Sequence, residues 1–162
     1  MDTAAEYISA LNLSRHPEGG WYRESWRSNL EVSVPWSADK RSAGTSIYFL
    51  LESPGFSSFH RIKSDELWHF YDGSAIEIIW IEPEGNLYSC VIGRNHLAGE
   101  RLLCVVPAGC WFAARVIVPD SFALVGCTVS PGFDFADFEL AIRAELIRQY
   151  PEHKALIQSL TR

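Results

Sequence analysis

The spacing of hydrophobic positions changes period twice along the chain. Ala4, Ile8 and Leu11 recur at helical intervals behind Asp2 or Thr3, either of which can cap, until Pro17, Gly19 and Gly20 interrupt; this predicts a helix over 2–12. From Trp21 to Val129 the pattern is one of short β-branched and aromatic runs: 45–51, 57–63, 66–71, 75–81, 87–92, 102–106, 111–118 and 122–129. Asp72-Gly73 and Pro83-Glu84-Gly85-Asn86 read as hairpin turns between them, and the long crossovers that parallel strands require are missing. After Pro131-Gly132 helical spacing returns through Phe138, Ala141, Ile142, Leu146 and Ile147, with Asp134 or Asp137 as cap and Pro151 opening a last short helix. Without linker, repeat or low-complexity stretch, this predicts one domain: an all-β, antiparallel core over about 20–130, sandwich or jelly roll, with helices at 2–12 and 134–160.

Composition sharpens that picture. At 162 residues, 48% apolar and 21% charged, the chain is long and hydrophobic enough for one packed core, which excludes global disorder. A net charge of -6 offers no cationic field for nucleic acid or anionic lipid. No apolar run is long enough to span a bilayer. Cys90, Cys104, Cys110 and Cys127 sit in apolar runs without a C-x-x-C pair, and no basic-then-apolar leader opens the chain; reduced, buried thiols in a cytoplasmic protein are expected.

Candidate chemistry concentrates between Phe59 and Gly73. Alternation along strands puts His60 on one face with Ile62, and Glu66 on one face with Trp68 and Phe70, while His69 falls on the opposite side. If those faces line a cavity, an imidazole and a carboxylate meet among aromatics, an arrangement suited to metal ligation or to acid–base work. These residues resemble the cupin superfamily. His60, Glu66 and Gly73 occupy the first-His, Glu and final-Gly positions of its first motif, with Gly55 one residue too close, and Pro107-Ala108-Gly109 fits the P-x-G of its second. Ile62 stands at the second His, Gly99 is too distant, and Phe112 and Val116 stand at the second motif's His and Asn. Four further strings, His16-Pro17-Glu18-Gly19-Gly20-Trp21-Tyr22-Arg23-Glu24, the His60 to Tyr71 run, Val125-Gly126-Cys127-Thr128 and Pro131-Gly132-Phe133-Asp134-Phe135, resemble the small uncharacterised branch of that superfamily. That resemblance implies a double-stranded β-helix (cupin jelly roll), usually a homodimer, with a pocket inside the barrel; it implies no reaction.

The candidate site is therefore a metal-independent small-molecule pocket. His60 and Glu66 form its polar centre, Tyr48 is a proton donor beside Ser46, and Trp68, Phe70 and Phe112 are aromatic walls. Tyr22 and Arg23 can reach an anionic ligand, and Lys63 and Arg115 are further cationic neighbours, so an anionic or sugar-like ligand is expected. A divalent metal through His60 and Glu66 is disfavoured because apolar residues replace two of four ligands, and no cofactor is expected. Proton transfer of the isomerase or epimerase kind demands least of these residues, by analogy with metal-free cupin epimerases; a non-catalytic binding or sensory module is the alternative, and a metal-dependent dioxygenase a third reading. Trp21-Tyr22 and Trp36 need cover, which also points to a homodimer. His60→Ala is expected to leave the fold intact. His96 and His153 read as surface residues.

Overall fold

The computed structural model describes residues 3–162. Its strands are β1 (Ser14–Arg15), β2 (Trp21–Arg27), β3 (Glu31–Val34), β4 (Ser37–Ser42), β5 (Thr45–Glu52), β6 (Phe56–Arg61) and β7 (Asp65–Gly73), followed by β8 (Ile76–Ile81), β9 (Leu87–Ile92), β10 (Leu103–Val106), β11 (Trp111–Val116), β12 (Phe122–Ser130) and β13 (Glu139–Leu140). They form a six-stranded sheet in the order β1-β2-β5-β12-β7-β10, a five-stranded sheet in the order β13-β6-β11-β8-β9, and a separate β3-β4 hairpin. Every pairing between these strands is antiparallel. The two sheets face each other as an unclosed jelly roll, the architecture expected from the short-strand pattern.

Alternate residues of both sheets fill the space between them: Phe49, Leu51, Trp68, Phe70, Ile76, Ile78, Phe112 and Val125 are all buried in one cluster. The helices cover the outer faces. Helix α1 (Ala4–Ala10) brings Tyr7, Ile8 and Leu11 onto Leu50 and Leu124 of the six-stranded sheet. Helices α2 (Arg143–Gln149) and α3 (Lys154–Ser159) bring Leu146 and Ile157 onto Phe59, Ile79, Ile81 and Trp111 of the other. Thr3 caps α1 in a capping box with Glu6, whose carboxylate accepts the Thr3 N–H at 2.6 Å; Asp2 lies outside the described residues.

Four expectations are corrected. β2, β3 and β4 lie within the predicted β core but outside its apolar runs, because their exposed residues give no apolar alternation; Trp21–Arg27 is held by register against β5 instead. Beyond Pro131 the chain does not enter a helix at once. Asp134 caps a single 3₁₀ turn, Glu139 and Leu140 pair with Arg61 and His60 at the open edge of β6, and α2 begins only at Arg143, with no side-chain cap. An unpaired edge offers backbone hydrogen bonds that outweigh the weak propensity of so short a segment. Asp137 is no cap but the partner of Arg41, whose Nε and Nη2 donate to its two carboxylate oxygens, each at 2.8 Å. His153 is half-buried, its Nε2 2.7 Å from the carbonyl oxygen of Gly85, whereas His96 is exposed.

Candidate active site

The cavity between the sheets is shaped first by the turn from His16 to Gly20. Gly19 (φ 111°) and Gly20 (φ 78°) adopt backbone angles that side chains oppose, and a Cβ at Gly20 would stand 2.9 Å from the Leu50 carbonyl oxygen. The turn is tied down from outside. The Glu18 carbonyl accepts the Ser58 N–H at 2.8 Å and Nη1 of Arg162 at 2.6 Å, while Nη2 of Arg162 reaches the Phe56 carbonyl at 2.9 Å. So fixed, the Glu18 side chain is turned inward and buried.

On the facing sheet, β6 carries a bulge: Phe112 of β11 opposes His60, but Ala114 opposes Ser57, leaving one extra residue between. Bulges re-aim side chains. Here Ser57 donates to Oε1 of Glu18 at 3.0 Å, and His60 Nε2 lies 2.9 Å from Oε2 of the same carboxylate. The other ring nitrogen, Nδ1, lies 2.7 Å from the Ser58 carbonyl, which only accepts, so Nδ1 carries a proton. The charged carboxylate calls for a proton on Nε2 as well, and His60 is an imidazolium paired with Glu18. Burial opposes both charges, but the mutual attraction wins: His60 is held above the ordinary histidine value and Glu18 below the ordinary carboxylate value.

Two further groups face the cavity with their charged forms disfavoured by burial. The Glu18 N–H donates to Nδ1 of His16 at 3.2 Å, which makes Nδ1 the acceptor and leaves the proton on Nε2. Burial, with the nearby His60 charge, pushes the His16 pKa down against the pull of Glu18. Glu66, on the inward face of β7, is pushed up to about 7 by burial and by the Glu18 charge, against the pull of His60; its only protein hydrogen-bond partner among the described residues is the Cys127 thiol.

The enclosed volume is about 460 Å³. Ile47, Ile62 and Val129 line its apolar depth, and Tyr22, Phe133, Phe135 and Phe138 its aromatic side, with Glu24, Arg27 and Asp134 at the rim. The three phenylalanines come from the segment 132–138 that straps the opening. Thr45 Oγ1 accepts the Phe133 N–H at 2.9 Å, Arg27 Nη2 donates to the Phe133 carbonyl at 3.1 Å, and the Arg41–Asp137 pair anchors the far end.

Of the residues singled out from the sequence, His60, Glu66 and Tyr22 line this cavity. Tyr48 lies on the outer face of β5, 6.2 Å from Tyr71 between ring centres, and Ser46 faces Thr128 on that same side. Trp68, Phe70 and Phe112 are core; Phe112 supports the His60 ring from 4.0 Å but does not line the cavity. Lys63 is exposed, Arg23 donates to the Leu11 carbonyl, and Arg115 pairs with Glu77 on the surface. His16 and Glu18 were passed over in favour of Tyr22 and Arg23 of the same string. The signal present was a carboxylate between an imidazole and two glycines, in a turn too tight to be decorative.

The metal site that the cupin resemblance suggests does not fit the donors present. Both ring nitrogens of His60 are engaged, by Ser58 and Glu18; Nδ1 of His16 is engaged by backbone; Ile62 is apolar. Among the described residues no three His, Cys, Asp or Glu side chains converge as metal ligands do.

Comparison with known proteins agrees with this architecture. The model of the Cupin_5 family, described as cupin superfamily (DUF985), matches residues 5–141. An uncharacterised protein of Saccharomyces cerevisiae, YML079W, is 31% identical over 147 residues, covering 82% of this chain and 72% of its own. The crystal structure of protein SO0799 from Shewanella oneidensis is 44% identical with a TM-score of 0.91, over 100% of this chain and 99% of that one. A hypothetical protein from Leishmania major is 34% identical with a TM-score of 0.94, over 99% of both chains. Bacillus subtilis oxalate decarboxylase, at 15% identity and a TM-score of 0.56 over 90% of this chain and 36% of its own, shares the fold alone.

Proposed function

The chain belongs to the Cupin_5 family of the cupin superfamily, and we propose that its cavity binds a small polar metabolite and exchanges a proton with it, without a metal. The observation that carries this is one cavity faced by a carboxyl group and an imidazole, Glu66 and His16, whose charged forms burial disfavours even though His16 Nδ1 stands 3.6 Å from the Glu18 carboxylate. A carboxyl group with a pKa near 7 is divided between acid and base at physiological pH, the condition under which proton transfer is fastest in both directions. In this reading Glu66 takes a proton from a hydroxyl- or amino-bearing carbon next to a carbonyl and returns it to the former carbonyl carbon, so the reaction is an isomerisation with no net loss of atoms. Nε2–H of His16 donates to the carbonyl oxygen as negative charge develops there, and a neutral imidazole can do so without first being deprotonated. The His60–Glu18 pair holds the turn and the charge balance and does not itself exchange protons, which moves the reactive centre from His60 and Glu66 to His16 and Glu66.

The test is deuterium incorporation. A pool of small hydroxy- and amino-carbonyl compounds is incubated with the protein in heavy water and followed by NMR. At least one compound is expected to exchange, with a loss of about 100-fold in Glu66→Gln and no change on adding a chelator. Exchange that survives Glu66→Gln, or that a chelator abolishes, overturns the reading; binding without exchange makes the protein a ligand-binding module.

A further inference from the structure

We infer that the cavity is built to receive an organic ammonium group, carried on a small molecule, rather than an anion; this rests on the cavity being the binding site. The charges facing it decide the sign. Glu18 is matched by His60 at 2.9 Å, and Arg27 at the rim is matched by Glu24 at 2.6 Å while also donating to the Phe133 carbonyl. What remains is acidic: Asp134, whose carboxylate caps the Ala136 N–H at the edge of the Arg41 field, and the ionised fraction of Glu66. No lining cation is left unpaired among the described residues, so an anion would have to strip Arg27 from its partner and approach Asp134 as well. The whole chain, at a net charge of -6, adds to the same field.

The aromatic side supplies the second half of the argument. Phe133, Phe135 and Phe138 meet at steep angles, 85° between Phe133 and Phe135, 72° between Phe135 and Phe138, and 65° between Phe133 and Phe138, with centroids 4.9 to 6.2 Å apart. Phe135 stacks one face on His16, 6.2 Å away at 30°, and Phe138 tilts toward His60 at 5.5 Å, so the open ring face is the other side of Phe135. Phe135 is 51% exposed although it lies beside a cavity it could have sealed. An open aromatic face beside a cavity that a carboxylate also lines attracts alkylammonium groups, because the ring quadrupole presents negative charge to a cation that is poorly hydrated. A neutral sugar could lie on the rings but would leave Asp134 without a role.

The experiment compares three molecules of one shape: choline, its uncharged isostere 3,3-dimethylbutanol, and the anion 3,3-dimethylbutanoate, each titrated at pH 7 and followed by saturation-transfer NMR. Choline is expected to bind about tenfold more tightly than the alcohol, with the anion weakest. Phe135→Leu keeps apolar bulk but removes the ring, and Asp134→Asn keeps the cap but removes the charge; each is expected to weaken choline several-fold and leave the alcohol unchanged. Equal affinity for choline and the alcohol, preference for the anion, indifference to both substitutions, or no choline binding overturns the inference. The deuterium experiment separates its failure from that of the proton-transfer reading. Exchange on a neutral or anionic compound, lost in Glu66→Gln, leaves the site standing and removes the ammonium preference; choline binding without any exchange does the reverse.

Discussion

Glu18 and Glu66 are two buried carboxylates in one cavity; burial pushes both up, and only Glu18, bonded to His60 and Ser57, is pulled back below its ordinary value. Glu66 has a folded pKa of about 7 against an ordinary value of 4.5, so it is the neutral form that the fold favours. Its ionisation therefore begins to cost stability as pH rises past 4.5, and the cost, about 3 kcal/mol at most, is complete above 7. Glu66→Gln should accordingly raise the melting temperature at pH 8 and change it little at pH 4; an equal effect at both would show that Glu66 is not neutralised by the fold. The His60–Glu18 pair behaves differently. Glu18 contributes above its ordinary 4.5 and loses this as pH falls through its lowered folded value, while His60 contributes below its ordinary 6.5 and loses this as pH rises through its raised one. The pair is therefore complete between about 4.5 and 6.5. Removing one partner strands the other: Glu18→Gln is expected to cost about 3 to 5 kcal/mol in urea unfolding at pH 6 and to drop the His60 titration seen by NMR. By the same logic His60→Ala strands Glu18, so it destabilises the protein rather than leaving the fold intact.

At the scale of elements, the strap 132–138 is held by side chains from the opposite end of the chain rather than by its own regular structure. The Arg41–Asp137 pair joins it to β4, and Thr45 and Arg27 join it to β5 and β2. Arg41→Ala should increase amide exchange at 133–138 and weaken ligand binding while β7 and β12 stay protected; uniform loss of protection would mean that the pair supports the whole barrel instead. Strand alternation was legible in the sequence here, since Glu66, Trp68 and Phe70 do share the inward face and His69 does face outward. The β6 bulge was not, because the extra residue falls beside Ser57-Ser58, where no apolar contrast shows the inverted phase, yet it decides how Ser57 and His60, of opposite parity, together meet Glu18.

At the scale of the molecule, the part of the six-stranded sheet's outer face that α1 leaves uncovered bears on assembly. Leu103 and Val105 of the edge strand β10 are each 44% exposed, and Tyr71 beside them 46%. By contrast, of Trp21, Tyr22 and Trp36, whose need for cover points to an interface, the first two are occupied within the chain: Arg15 lies over the Trp21 ring at 3.8 Å, and Tyr22 lines the cavity. A homodimer formed through the β10 face is expected, since contiguous apolar surface seeks cover; light scattering that gives a monomer at micromolar concentration, or a dimer that survives Val105→Glu, would count against it.

The sequence by itself determined which faces of the strands turn inward, where glycines had to bend the chain, and which family strings run in order from His16 to Phe135, because period, turn chemistry and local sterics are properties of neighbouring residues. Only the tertiary structure decided which ionisable groups are charged. Glu18 and His60 lie far apart in the chain and Glu66 sits on the other sheet from His60; whether each is an ion or a neutral acid depends on the water it has lost and the partner it has gained, and both come from segments that spacing along the chain does not connect.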